Sequence, residues 1–139
     1  MTKVKSLVDG IGNETLTEKY YDDWALSYDQ TLKKWNYKAP IKAVNIMSLL
    51  KENINSNLDL ACGTGMFAAT LKKKYPNITI DGCDISSQSL KVAKKKKLYR
   101  QLIKQSFEKK INITKKYDSV SMIGSMTYCK KPKTLFSLI

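Results

Sequence analysis

Short apolar runs alternate along the chain with longer segments in which apolar residues recur at every third or fourth position. The runs lie at 58–60, 78–84 and 120–124, with a weaker one at 99–104. Short apolar runs are typical of strands buried in a parallel sheet, and the longer spacing is typical of helices. The alternation predicts an α/β fold, a Rossmann-like parallel sheet with helices on both faces.

Two helices are predicted before the first strand. Residues 14–31 carry aromatic and apolar side chains at helical spacing, and Ser27 is a position at which this helix can break. Pro40 is favoured in a first helical turn and starts the second helix, over 41–51. The expected buried face of that helix is Ile41, Val44, Met47 or Ile46, and Leu50.

The chain is predicted to hold a single domain. Residues 1–13 are polar and contain glycine, so we expect a flexible N-terminus. The domain then spans 14–139, with its N-terminal helices over 14–51 and its α/β part over 57–139.

A glycine turn follows the first predicted strand. Gly63 and Gly65 lack a Cβ, so the chain can turn sharply there and expose a helix N-terminus to a ligand. Asp84 ends the next strand, 19 residues beyond Gly65 (84 minus 65). A carboxylate about 20 residues past such a turn is placed to bind the hydroxyls of a ribose. The pair predicts an adenosine-type cofactor.

The acid in the first strand bears on which cofactor this is. Gly63, Gly65 and Ala68 also fit the dinucleotide pattern of NAD-binding proteins. Asp59, however, would repel a pyrophosphate and attract a ligand that carries an ammonium and a sulfonium group. This favours S-adenosylmethionine over NAD.

The run Leu58-Asp59-Leu60-Ala61-Cys62-Gly63-Thr64-Gly65 resembles the first motif of class I S-adenosylmethionine-dependent methyltransferases. The similarity continues through Asp81–Ser86, Tyr99–Leu102 and Tyr117–Val120. With Tyr20–Ala25, Tyr28-Asp29 and Tyr37–Pro40, the combination resembles the methyltransferase-like proteins of the Williams–Beuren region type.

The resemblance implies a seven-stranded sheet in the order 3-2-1-4-5-7-6. Only four of these strands are predicted here, so we expect the fold to be truncated after strand four and the chain to be a fragment or a degenerate copy. Strand four would then be an open apolar edge, through which a homodimer can form.

The resemblance and the glycine turn together imply a set of cofactor-binding residues. They are Tyr28, Asp59, Ala61, Gly63, Gly65, Asp84, Ile85, Ser106, Phe107 and Gly124. Tyr28 is expected nearest the cofactor on a helix that lies over the cleft. Ser106 falls where the family carries an acid that binds the adenine amino group, and Phe107 can stack near the adenine.

The catalytic residue stays unassigned. The chain contains no histidine, which leaves Asp22, Asp23, Asp29 and Tyr128 as candidate bases if the acceptor arrives protonated. Residues 124–128 lack the Asn/Asp-Pro-Pro-aromatic element of base-modifying methyltransferases. A small-molecule acceptor is therefore favoured.

Two alternatives to a methyltransferase remain. One is a non-catalytic module that binds S-adenosylmethionine or a partner protein, and the other is an NAD-dependent oxidoreductase.

The composition limits which classes of partner we expect the chain to bind. The net charge of +13 permits nucleic-acid binding, but Arg100 is the one arginine among 25 basic residues, and lysine runs of this kind are typical of solvated helix faces. The three cysteines lack metal-ligand spacing, so no metal site is predicted. No run is long enough to cross a membrane, and we expect a soluble cytoplasmic protein.

Overall fold

The computed structural model describes residues 7–111 and 114–138. Its centre is a four-stranded parallel sheet in the order β3-β2-β1-β4, as the resemblance implied for these strands. The strands are β1 Ser56–Leu60, β2 Thr79–Asp84, β3 Gln101–Lys104 and β4 Ser119–Met122. The α/β prediction is thus confirmed.

Five α-helices accompany the sheet in the described part of the chain. They are α1 Glu14–Lys34, α2 Ala39–Leu50, α3 Met66–Lys74, α4 Ser87–Lys95 and α5 Pro132–Leu138, with 3₁₀ turns at Leu7–Gly10 and Met126–Tyr128. None of these helices combines the length and the apolar character that a membrane span requires.

Each face of the sheet has its own apolar cluster. On one face Ile80 packs with Val44 of α2 and with Phe67 and Leu71 of α3. On the other face Leu60 and its neighbours pack against Ile111 from the segment between β3 and β4. Because successive side chains of a strand point to opposite faces, the two clusters hold the strand ends in fixed register beneath the loops that follow them.

Local details differ from the sequence prediction. Helix α1 continues through Ser27, whose hydroxyl donates to the Trp24 carbonyl within the helix. In α2 only Val44 of the expected face is fully buried, whereas Ile41 is 47% and Leu50 82% exposed. The prediction of Ile41 and Leu50 as core residues was wrong, because α2 fully buries only Pro40 and Val44, a narrower stripe than its apolar content suggests.

The two chain ends are described only in part. Residues 1–6 of the segment expected to be flexible, and Ile139 of the last predicted helix, lie outside the described residues. Residues 7–10 form a 3₁₀ turn, and the Thr17 hydroxyl donates to the Gly10 carbonyl at 2.7 Å. Val120 on the edge strand β4 is 42% exposed, and dimerisation through this edge stays a prediction.

Candidate functional site

A cleft lies where the carboxyl ends of the strands meet the inner side of α1. Nine of the ten residues predicted to bind a cofactor line it: Tyr28, Asp59, Ala61, Gly63, Asp84, Ile85, Ser106, Phe107 and Gly124. Gly65 lies behind the cleft wall, where an added Cβ would come 3.1 Å from the Tyr99 ring. The carboxyl edge of a parallel sheet is the usual ligand-binding edge of this architecture.

The glycine turn opens directly into the cleft. The φ angles of Ala61, Gly63 and Gly65 are 50°, 55° and 88°, all in the left-handed region. A Cβ at Gly63 would have no atom within 4 Å, so the backbone there faces open space. Ala61 adopts the same region with a Cβ, which costs about 1–2 kcal/mol.

The Asp84 carboxylate fixes the turn relative to the next strand. Its two oxygens accept from the backbone N–H groups of Gly63 and Ser86, each at 2.8 Å. Burial raises the pKa of Asp84, while these two N–H donors act in the opposite direction. The acid at the end of β2 therefore lies directly against the glycine turn, as the spacing predicted.

Asp59 lies on the floor of the cleft and is almost fully buried. It is 1% exposed, and its oxygens accept from Tyr99 Oη at 2.8 Å and from Ser121 Oγ at 2.9 Å. Burial raises its pKa to about 7, and the two hydroxyl donors only partly offset this. The cleft floor thus holds a carboxyl group with no room for direct solvation.

Helix α1 is attached across the cleft mouth through acidic side chains on one face. Asp22 accepts from the Ser86 hydroxyl at 2.6 Å and from the Gln88 N–H at 3.0 Å. Asp29 accepts from the Thr64 hydroxyl and pairs with Lys96, both at 2.5 Å. These contacts join α1 to the glycine turn and to both ends of α4.

A second pair of acids joins α1 to the end of β3. Glu18 pairs with Lys104 at 2.5 Å, and Glu14 accepts from the Ser106 hydroxyl at the same distance. Because positions 14, 18 and 22 are spaced by one helical turn, their side chains share a face of the helix.

Aromatic side chains of α1 form the opposite wall of the cleft. Tyr21 and Tyr28 both line it, and Tyr21 donates a 3.2 Å hydrogen bond to Tyr128. Burial raises the pKa of both Tyr21 and Tyr28, so they stay protonated at neutral pH. Of the candidate bases, Tyr128 lines the cleft, Asp22 and Asp29 have the structural partners described above, and Asp23 is exposed.

Several residues of the site escaped the sequence analysis. Glu14 was assigned only to a helix start, although it lines the cleft. Tyr99 and Ser121 donate hydrogen bonds to Asp59 on the cleft floor. The Tyr37 hydroxyl would lie 2.7 Å from a Cβ at Gly124, so it closes the cleft beside β4. These contacts join residues far apart in the chain, and no local pattern signals them.

The described residues contain no group of three or more His, Cys, Asp or Glu side chains arranged to hold a metal ion. Cys62 and Cys83 are buried thiols, and burial raises the pKa of Cys83 to about 12. A thiol with that pKa is a packing group rather than a nucleophile at neutral pH.

Comparison with known proteins identifies a family that matches this chain. The family described as "Methyltransferase domain" matches residues 58–139, which is more than half of the chain. Malonyl-[acyl-carrier protein] O-methyltransferase 2 of Ilyobacter polytropus is 30% identical over 121 residues, covering 85% of this chain and 43% of that protein. Human methyltransferase-like protein 27 is 36% identical over 87 residues, covering 60% of this chain and 35% of that protein.

A solved structure supports the fold. The plantazolicin methyltransferase BamL, in complex with a triazolic desmethylPZN analog and SAH, superposes with a TM-score of 0.65 at 18% identity. The match covers 99% of this chain and 56% of that one. The chain thus spans less than half of the two curated relatives and just over half of this structure.

Proposed function

The chain belongs to the methyltransferase-domain family, and we propose that it binds S-adenosylmethionine in the cleft under α1 as the cofactor-binding part of a methyltransferase. The proposed acceptor is a small molecule. The finer placement, with the methyltransferase-like proteins of the Williams–Beuren region type, is proposed on the segments Tyr20–Ala25, Tyr28-Asp29 and Tyr37–Pro40.

The open space at Gly63 is the observation that carries the proposal. The backbone there faces the cleft with no side chain in front of it, and the Asp84 carboxylate lies within hydrogen-bond distance of the same residue. An ionised carboxylate offers about four acceptor sites. The backbone N–H groups of Gly63, Ser86 and Ile85 use at most three of those on Asp84, so one remains for a ribose hydroxyl. A nucleoside can therefore bind against bare backbone with its ribose at Asp84.

The cleft floor favours a cationic tail. Asp59 lines the cleft together with Ala61 and Gly63 of the turn. A positive ligand group beside this carboxyl group would favour its ionised form. The pyrophosphate of NAD would have the opposite effect. This difference supports S-adenosylmethionine over the dinucleotide.

The wall formed by α1 supports a small acceptor. Tyr21, Tyr28 and Tyr128 are clustered there, with ring centroids of Tyr21 and Tyr128 6.0 Å apart. Such a wall suits an apolar or aromatic compound more than a phosphate backbone, for which arginine-rich surfaces are typical.

S-adenosylmethionine, when bound, supplies a methyl group on a sulfonium. In-line displacement needs the acceptor held in near-attack geometry, and the tyrosine wall can provide that positioning when α1 covers the cleft. Tyr128, whose oxygen already accepts from Tyr21, is the residue of this wall best placed to orient an acceptor.

Isothermal titration calorimetry with S-adenosylhomocysteine and NAD tests the proposal. We expect S-adenosylhomocysteine to bind at least about tenfold more tightly, a difference of about 1.4 kcal/mol. Equal or tighter binding of NAD would contradict the assignment.

A matched pair of variants then locates the site. Gly63→Val should abolish binding because its side chain enters the cleft. Asn36→Val is the control, since Asn36 has a φ of 54° and is exposed outside the cleft lining. Both variants place a branched residue in the left-handed region, so only the effect specific to Gly63→Val reports on the cleft.

A further inference from the structure

The end of the cleft beyond Asp84 combines a carboxylate with an aromatic ring. The Gln105 N–H donates to the Asp84 carbonyl at 3.0 Å, so Ser106 and Phe107 follow directly from the residue that would bind the ribose. Both line the cleft, and Glu14 of α1 lines it beside them. A group attached to that ribose would extend into this corner.

The Glu14 carboxylate is held in place through one oxygen. Ser106 Oγ is buried, donates to Glu14 Oε1 at 2.5 Å and accepts from the Glu108 N–H at 3.1 Å. Because the Glu108 N–H occupies one side of the Ser106 oxygen, the hydroxyl proton points to Glu14. Among the described residues the Glu14 carboxylate has no other partner, which leaves its second oxygen available to a ligand.

We infer that Glu14 recognises the exocyclic amino group of the adenine base, so that α1 supplies the residue that sets base specificity. The inference rests on the proposed function. A carboxylate is an acceptor only and selects a base edge that presents N–H donors, and the amino group of adenine is such a donor. Phe107 offers an apolar ring beside it.

Ser106 then acts as a positioning residue for Glu14. An acid at position 106 would be unfavourable, because its carboxylate would lie against that of Glu14 and the two negative charges would repel each other. Ser106 stands where the resemblance places an acid, and Glu14 of α1 supplies the carboxylate instead.

The test removes one ligand group and one side chain, separately and together, and measures each affinity by calorimetry. S-adenosylhomocysteine is compared with its purine analogue, which lacks only the 6-amino group. The unmodified chain should prefer the amino compound by about 10- to 100-fold, the range for a hydrogen bond to a charged group. Glu14→Ala should reduce this preference to less than about threefold.

Glu18→Ala is the matched control. Glu18 lies one helical turn further along α1 and pairs with Lys104, but it does not line the cleft. Its removal should leave the preference unchanged. Glu14→Gln, which keeps an acceptor for Ser106, should retain an intermediate preference.

Two outcomes in the variants would overturn the inference. One is an unchanged preference in Glu14→Ala, and the other is an equal loss of preference in Glu18→Ala, which would indicate a general charge effect. If the unmodified chain binds neither compound, the proposed function fails and the inference with it. Tight binding of both compounds without preference would overturn the inference alone.

Discussion

Helices α1 and α3 are both attached beside the glycine turn, but by different forces. Helix α3 has 9 residues and buries Phe67, Ala68 and Leu71 in the core. Helix α1 has 21 residues and buries only Thr17, Ala25 and Leu32. Most of its further contacts are polar: a row of acidic side chains contacts α4, the glycine turn and the end of β3, and Tyr21 donates to Tyr128.

The difference predicts different behaviour. Burial of apolar area is not directional and depends little on salt, whereas partly exposed ion pairs and hydrogen bonds contribute about 0–1 kcal/mol each and weaken as salt rises. Helix α3 should therefore open only with global unfolding. Helix α1 should detach locally at lower free energy, which is the property required of an element that covers a ligand.

The largest change in stability should come from a substitution in the buried face of α3. Leu71→Ala should lower the free energy of unfolding by about 2–5 kcal/mol, because Leu71 is 0% exposed and its loss leaves a cavity. Urea denaturation measures this. Leu49→Ala is the control at 87% exposure, and it should change stability by less than about 0.5 kcal/mol. Similar losses in both would mean that α3 is not the fixed element.

The buried acid beneath the turn should give the core a pH dependence. The pKa of Asp59 is raised to about 7 in the folded chain, so between its unfolded value near pH 4 and pH 7 the folded state binds more protons. Its contribution to stability is fully present below about pH 4 and is lost as the pH rises to 7, by up to about 4 kcal/mol.

Urea denaturation of the unmodified chain and of Asp59→Asn at pH 5 and pH 8 isolates this contribution. The Asn variant should gain stability relative to the unmodified chain at pH 8, because the amide carries no charge to bury. The Tyr99 and Ser121 hydroxyls can rotate to suit the amide. A difference between the two chains that does not change with pH would contradict the raised pKa.

The attachment of α1 should show a smaller and more local effect. Asp22→Ala removes the acceptor of the Ser86 hydroxyl and the Gln88 N–H, at a cost of about 1–3 kcal/mol. Hydrogen exchange should show the loss as faster exchange in α1 with α3 unchanged. The adjacent Asp23→Ala changes an exposed acid and should have no such effect.

The smallest effect concerns the glycine turn between β1 and α3. Ala61→Gly should stabilise the chain by about 1 kcal/mol, because glycine adopts the left-handed φ of 50° without strain. Ala69→Gly within α3 is the control of opposite sign, with an expected loss of about 1 kcal/mol. Destabilisation in Ala61→Gly would show that the Ala61 methyl group packs usefully.

Features that depend on local spacing could be predicted from the sequence. The run 58–65, the acid at position 84 and the alternation of helices and strands led to the parallel sheet and the position of the cleft, and the family resemblance implied the strand order. The contacts of Glu14 with Ser106, and of Asp59 with Tyr99, could not be predicted because they join residues 92 and 40 positions apart. The exposed apolar side of α2 was also missed, because periodicity shows which residues share a face but not how wide a stripe is covered.

Hydrogen exchange with and without S-adenosylhomocysteine tests the central claim, that the ligand binds in the cleft under α1, most directly. In the free chain the amides of 14–34 should exchange faster than those of 66–74. Saturating ligand should slow exchange in α1 and in the turn at 61–65 by about tenfold or more while leaving exchange in α3 nearly unchanged. Ligand binding with no protection of α1, or protection confined to residues away from the glycine turn, would contradict the claim.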